Sequence, residues 1–116
     1  EGIYGTSSIP PSSPEKDAFD AEYLEAYGRV AGSKSSFAWF AYDATNVLAS
    51  AIRKTAVLGD DGNLYIPREE LVKNVRGTSG YQGITGDITC NENGECNASG
   101  PTFYIVQDGV WIVASD

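Results

Sequence analysis

Cys90 and Cys96 are the only two cysteines among 116 residues, and they bracket Asn91-Glu92-Asn93-Gly94-Glu95. An Asn-Gly pair favours a tight hairpin turn, which would bring the two thiols together on adjoining strands, within reach of a disulfide. A metal site would need two more soft ligands, and the sequence has no His and no third Cys to supply them. Free, half-buried thiols are the alternative; the even count and local spacing favour the bridge. A bridge here closes a short loop, so its effect falls at the low end of the usual ~2–4 kcal/mol. It would also place the chain outside the reducing cytosol.

The remaining polar groups argue against catalysis. Asp60-Asp61-Gly62-Asn63 has a calcium-like composition. With Gly62 as the loop glycine, however, the first ligand position falls on Val57, which has no side-chain oxygen, so a solvated turn is the better reading. The acidic pairs Asp60-Asp61 and Glu69-Glu70 read as solvated as well. Asn97-Ala98-Ser99 matches the glycosylation triplet, which matters only in a eukaryotic secretory setting. There is no G-x-S-x-G, no Walker loop and no G-x-G-x-x-G. Without His the commonest general base is gone. The expectation is a protein that is not an enzyme, with no cofactor and no metal.

Charge narrows the partners. Eight Lys and Arg stand against sixteen Asp and Glu, a net charge of −8. Such a surface neutralises no phosphates, which excludes nucleic acid as a partner, and it does not dock on anionic membranes. No segment approaches the ~20 apolar residues of a membrane span. The N-terminus lacks the basic and apolar regions of a signal peptide. Together with the missing initiator Met, this reads as a segment trimmed from something longer.

The elements that must position these groups are marked by caps and periodicity. Gly2-Ile3-Tyr4-Gly5 reads as the tail of a strand, and residues 6–14 as a Ser/Pro-rich crossover loop. Ser13-Pro14-Glu15 starts a helix whose stripe is Phe19, Tyr23, Leu24 and Tyr27, with Gly28 as its left-handed stop. The strongest periodicity follows: Phe37, Phe40, Ala41, Ala44, Val47, Leu48, Ala51 and Ile52, with Ser35 or Ser36 as cap. Trp39 projects away from that stripe, either packing on a neighbouring element or lying partly exposed. Pro67-Arg68-Glu69-Glu70 opens a third helix, with Leu71, Val72 and Val75 inward and Gly77 as its stop. Residues 84–90 and 102–114 are strand-like, with Asn93-Gly94 and Asp108-Gly109 supplying the positive φ angles of tight hairpins.

Three amphipathic helices preceded by one strand stub are out of balance. Helices of this kind usually cover a parallel sheet, and the late hairpins are too small to bury three stripes. Much of the sheet is therefore expected in chain outside these residues or in a second copy. A compact fold with helices on one antiparallel sheet is the alternative.

Six motifs in order resemble the C-terminal portion of branched-chain-amino-acid-type substrate-binding proteins of ABC transporters, which have the type I periplasmic-binding fold. Gly2-Ile3-Tyr4-Gly5 with its Ser/Pro loop resembles the family's segment leaving a second-lobe strand. The run from Phe19 through Tyr27-Gly28 resembles its F…Y…YG helix, and Ala41-Tyr42-Asp43-Ala44 its AYDA helix. Tyr81-Gln82-Gly83-Ile84-Thr85-Gly86 is similar to its F-x-G-V-T-G turn, and residues 91–95 to its D-E-N-G-D hairpin. Residues 102–113 are similar to its closing hairpin. Cys90 departs from the pattern, standing where an aromatic residue is frequent.

The resemblance implies an α/β fold: the C-terminal part of a two-lobed type I periplasmic-binding protein, three helices followed by β-hairpins. Residues 1–14 would form the strand end and crossover loop, 15–77 the helical part and 78–116 the hairpin part. It implies capture of amino acids or related small polar ligands outside the cytoplasm, periplasmic or at the cell surface, for delivery to an ABC permease. Phe37 matches an aromatic position that contacts the ligand side chain, and Tyr4 falls near the crossover and cleft. The residues that grip the ligand's α-carboxylate and α-ammonium lie upstream, so this segment alone would lack a complete cleft and would associate with itself or belong to a larger domain. A sensory receptor's ligand-binding domain, or a structural domain without ligand, is the alternative.

Overall fold

A computed structural model describes residues 1–97 and 101–114. In chain order the elements are β1 (Tyr4–Ser7), α1 (Pro14–Tyr27), α2 (Ala38–Thr55), β2 (Val57–Leu58) and β3 (Leu64–Tyr65). There follow α3 (Arg68–Arg76), β4 (Tyr81–Gly83), β5 (Gly86–Ile88), β6 (Thr102–Gln107) and β7 (Val110–Val113). They fall into two compact units, one of Glu1–Trp39 with Ser99–Asp116, the other of Phe40–Ala98.

In the first unit, α1 starts and stops where its sequence dictates. Ser13 Oγ accepts the Lys16 N–H at 3.1 Å, satisfying an otherwise orphaned donor. Gly28 adopts φ 63° and returns its N–H to the Leu24 carbonyl. The expected burial of its stripe is not met, since no residue of α1 is buried. Phe19, Tyr23 and Tyr27 instead pack along the helix, ring centroids 5.7 and 4.6 Å apart. The stub at the N-terminus is an edge strand. β1 pairs antiparallel with β6 (Tyr4 opposite Ile105, Thr6 opposite Phe103), and β6 pairs with β7. The strand therefore runs on through Ser7, into the segment expected to be loop. Asp108 (φ 51°) and Gly109 (φ 73°) form the hairpin turn that their types predict.

In the second unit the buried face of α2 overlaps the expected stripe only in part. Asp43, Ala51 and Thr55 are buried, eight and four residues apart; Ala51 belongs to the apolar stripe, whereas its Ala41, Ala44 and Leu48 are exposed. Phe40, Val47 and Ile52 are half-buried. The face is chosen by hydrogen bonding. The Asp43 carboxylate accepts the Ile84 N–H at 3.0 Å, the Thr85 N–H at 2.8 Å and the Thr85 hydroxyl at 2.6 Å. A buried carboxylate with three donors in place is stable where an unpaired one would not be. The donors lie in the two-residue turn between β4 and β5, so Ile84 and Thr85 are turn residues rather than the start of a strand. Among the described residues all strand pairs are antiparallel, and no parallel sheet covers the part of the α2 stripe, Ala41, Ala44 and Leu48, that is exposed.

α3 begins after Pro67 and ends at Gly77, as expected, but Val72 is exposed rather than inward. Cys90 and Cys96 are joined by a disulfide across a turn in which Gly94 has φ 84°, while Asn93 is not in the left-handed region. Its partner for closure is Asn91, whose Oδ1 accepts the N–H groups of Asn93 and Glu95.

The acidic turn 60–63 joins β2 to β3. Asp61 there accepts from Tyr65 Oη at 2.6 Å, from the Asn63 N–H at 3.0 Å and from Asn63 Nδ2 at 2.8 Å. The Tyr65 hydroxyl above all, then the Asn63 donors, hold its carboxyl down to about 2 from an ordinary 3.8. A depressed folded value means the turn's contribution is intact above pH 3.8 and is lost as pH falls toward 2. An NMR titration followed at the Asn63 amide is expected to show a midpoint near 2, and Tyr65→Phe to move it up toward the ordinary value. A midpoint at the ordinary value in the unsubstituted chain would contradict this.

Candidate functional site

The two residues singled out from sequence, Phe37 and Tyr4, both belong to the first unit and both are exposed, 67% and 68%. Phe37 stands one residue before α2, where Ser35 Oγ accepts its N–H at 3.2 Å in a local turn ahead of the helix. Tyr4 begins β1 opposite Ile105. The structure does not bring the two together in a pocket.

Next to Phe37 lies an open pocket of about 440 Å³, lined by Ser7 at the end of β1, by Ile9, by residues 31–36 and by Trp39. Four of its lining residues are serines and one is Lys34, so it offers hydroxyl and ammonium groups to a small polar molecule. Neither Phe37 nor Tyr4 lines it; Phe37 follows its last loop residue. A second pocket, of about 290 Å³, is apolar and lies between β1 and Trp111, with Ile9 and Tyr104 in its wall. The Trp111 ring sits on Gly5, where a Cβ would come within 3.1 Å of it, so the glycine admits the ring.

Trp39, left between two alternatives by its position off the stripe, packs inward and is 6% exposed. Its Nε1–H donates to Asp20 Oδ1 on α1 at 2.6 Å. The signal for this contact was faint in the sequence: an aromatic residue off the stripe, and a Lys16–Asp20 pair one helical turn apart.

Among the described residues no cluster of three Cys, Asp or Glu side chains could hold a metal ion. Burial pushes the Tyr81 phenol above its ordinary value, the nearby Asp43 carboxylate and Tyr42 adding in the same direction, so it stays protonated. No helix among the described residues is long and apolar enough to cross a membrane. The glycosylation triplet lies partly outside the described residues. Its Asn97 is committed within the fold, accepting the Thr89 N–H and donating to the Asp87 carbonyl.

No family model matches the sequence, and no curated protein matches it either. Three solved structures do match. One is a leucine-binding protein, LivK, from Thermotoga maritima, 28% identical with a TM-score of 0.69 over 99% of this chain and 30% of that one. Another is a branched-chain amino acid ABC transporter protein, so assigned provisionally, from Rhodospirillum rubrum, 25% identical with a TM-score of 0.62 over 98% and 31%. The third, an ABC transporter substrate-binding protein from Desulfitobacterium hafniense in complex with Leu, is 22% identical with a TM-score of 0.68 over 98% and 31%, a likeness of fold alone. The structural neighbours are thus branched-chain amino acid substrate-binding proteins, and the α/β arrangement of three helices and small hairpins matches their periplasmic-binding fold. The chain spans about a third of their length.

Proposed function

We propose that this chain is the C-terminal part of an extracytoplasmic solute-binding protein that captures amino acids, branched-chain ones first among them, for an ABC permease. The observation that carries the proposal is the likeness to LivK of Thermotoga maritima across 99% of the chain, in agreement with six sequence motifs in order. The disulfide between Cys90 and Cys96 fits an oxidising compartment outside the cytoplasm. Within the larger protein, residues 1–14 would lead from a strand into the crossover. Phe37 would face the ligand side chain from the head of α2, with Tyr4 near the cleft.

Thermal unfolding of the complete gene product against a panel of amino acids and amides tests this. A ligand that binds only the folded state adds about 2.7 kcal/mol at a hundred times its Kd. Leucine, isoleucine or valine is expected to raise the midpoint, and a panel without effect would overturn the reading. Phe37→Ala removes an aromatic contact and is expected to weaken leucine binding about 10- to 100-fold by calorimetry. Because Phe37 is exposed without ligand, the same variant should leave ligand-free stability within about 0.5 kcal/mol.

A further inference from the structure

Lys16, Asp20 and Trp39 close on one another. The Asp20 carboxylate takes the indole N–H on Oδ1 at 2.6 Å and Lys16 Nζ on Oδ2 at 2.7 Å. The same ammonium sits 4.8 Å from the centroid of the Trp39 ring. Lys16 and Asp20 side chains are only 11% and 27% exposed, so solvent screens the cluster less than it would a surface pair. The outer edge of the ring presses on Gly32, which has φ 80° and no room for a Cβ against the indole. Trp39 is therefore gripped by α1 and itself pins the loop that precedes α2.

Between Gly32 and Trp39 runs Ser33-Lys34-Ser35-Ser36-Phe37, and its own restraints are slight. The Ser33 N–H reaches the Val30 carbonyl at 3.2 Å and the Phe37 N–H reaches Ser35 Oγ at 3.2 Å. Both are at the long end of the range for such bonds. The course of the loop is set at its ends, and the end that carries Phe37 is set by Trp39.

We infer that the Lys16–Asp20–Trp39 cluster is a positioning device that fixes loop 33–37 and thereby presents Phe37 to the ligand. Asp20 acts through Trp39 and Phe37, while Trp39 also stands in the wall of the pocket beside the loop. The inference rests on the proposed role of Phe37, but its first readout needs no ligand. Lys34 places a trypsin site inside the loop, so the rate of nicking after Lys34 reports how firmly the loop is held.

In the complete gene product, Asp20→Ala and Trp39→Phe should each speed nicking after Lys34 about tenfold. Trp39→Phe removes the N–H donor together with the outer ring atoms that rest on Gly32. The double variant should be no faster than Trp39→Phe alone, since that variant already cuts the Asp20 link. Asp20→Asn keeps an acceptor for the indole and should fall between wild type and Asp20→Ala. Leucine affinity should drop about tenfold in the two single variants, in parallel with nicking. Nicking within threefold of wild type in both would overturn the inference, as would faster nicking with unchanged leucine affinity. If wild type binds no leucine, the ligand reading fails by itself, and nicking still decides whether the cluster holds the loop.

Discussion

Asp43→Ala is expected to destabilise the fold by about 3–5 kcal/mol, a large part of the 5–15 kcal/mol that a domain has in total. The side chain is 1% exposed and is the acceptor for two backbone N–H groups and one hydroxyl in the β4–β5 turn. Ile84 and Thr85 are themselves buried, so water does not replace the lost acceptor without opening the turn. Hydrogen bonds to a charged group contribute about 1.5–3 kcal/mol each, and a buried donor that loses its partner costs about 1–3 kcal/mol. Asp43→Asn should lose roughly half as much. Its one oxygen serves either the Ile84 or the Thr85 N–H, and its NH₂ then faces the other donor. Denaturation of the complete gene product, with hydrogen exchange read at Ile84 and Thr85, measures both variants. Exchange at these two amides unchanged in Asp43→Ala would refute the assignment.

The same carboxylate explains Gly83, whose φ is ordinary. A Cβ on Gly83 would overlap the Asp43 carboxyl group, so the glycine is required by close approach and not by backbone conformation. Gly83→Ala should therefore cost about 1–3 kcal/mol with Asp43 present, the range for overpacking, and much less in the Asp43→Ala background. This coupling separates a clash with Asp43 from a general dislike of alanine in β4.

What could be read from the sequence was what is decided within a few residues. The Ser13 cap, the Gly28 stop and the Asp108-Gly109 turn depend on neighbours in the chain, and all three stand where expected. The face that α2 buries depends on donors 41 and 42 residues away, which no periodicity encodes. Counting apolar residues centred the buried face on the small-residue stripe; three hydrogen bonds to one carboxylate turn it toward Asp43, so that Ala51 stays buried while Ala41, Ala44 and Leu48 are exposed. Trp39 behaves likewise, since its partner Asp20 lies 19 residues back on another helix. The candidate site follows the same division. The placement of Phe37 at the head of α2 was legible from the helix start, whereas the loop clamp that holds it was not.

Expressed by itself, the 116-residue chain is expected not to persist as a stable monomer. Among the described residues the first unit buries Pro10, Ala31 and Trp39 of its apolar side chains, and the second only Ala51, Ile84 and Ile88. Against these, Tyr4, Phe37, Phe103, Val110, Trp111 and Val113 are more than half exposed in the first unit, as are Val57, Leu58 and Leu64 in the second. Monomeric proteins rarely leave contiguous apolar patches beyond a few hundred Å². β7 adds a free edge, since the sheet order is β1-β6-β7 and its four residues, Val-Trp-Ile-Val, are all exposed without a charge or a proline to block pairing. The net charge of −8 opposes association, but its reach is about 8 Å at physiological salt, so contacts between apolar faces should prevail and strengthen as salt rises. Light scattering should give a mass above 12.4 kDa that grows with concentration and salt, and Ile112→Lys, which sets a charge on the open edge, should lower it. A constant mass of 12.4 kDa with a sharp melt would mean that the two units satisfy themselves, and the uncovered stripe of α2 would then need another explanation than a missing sheet.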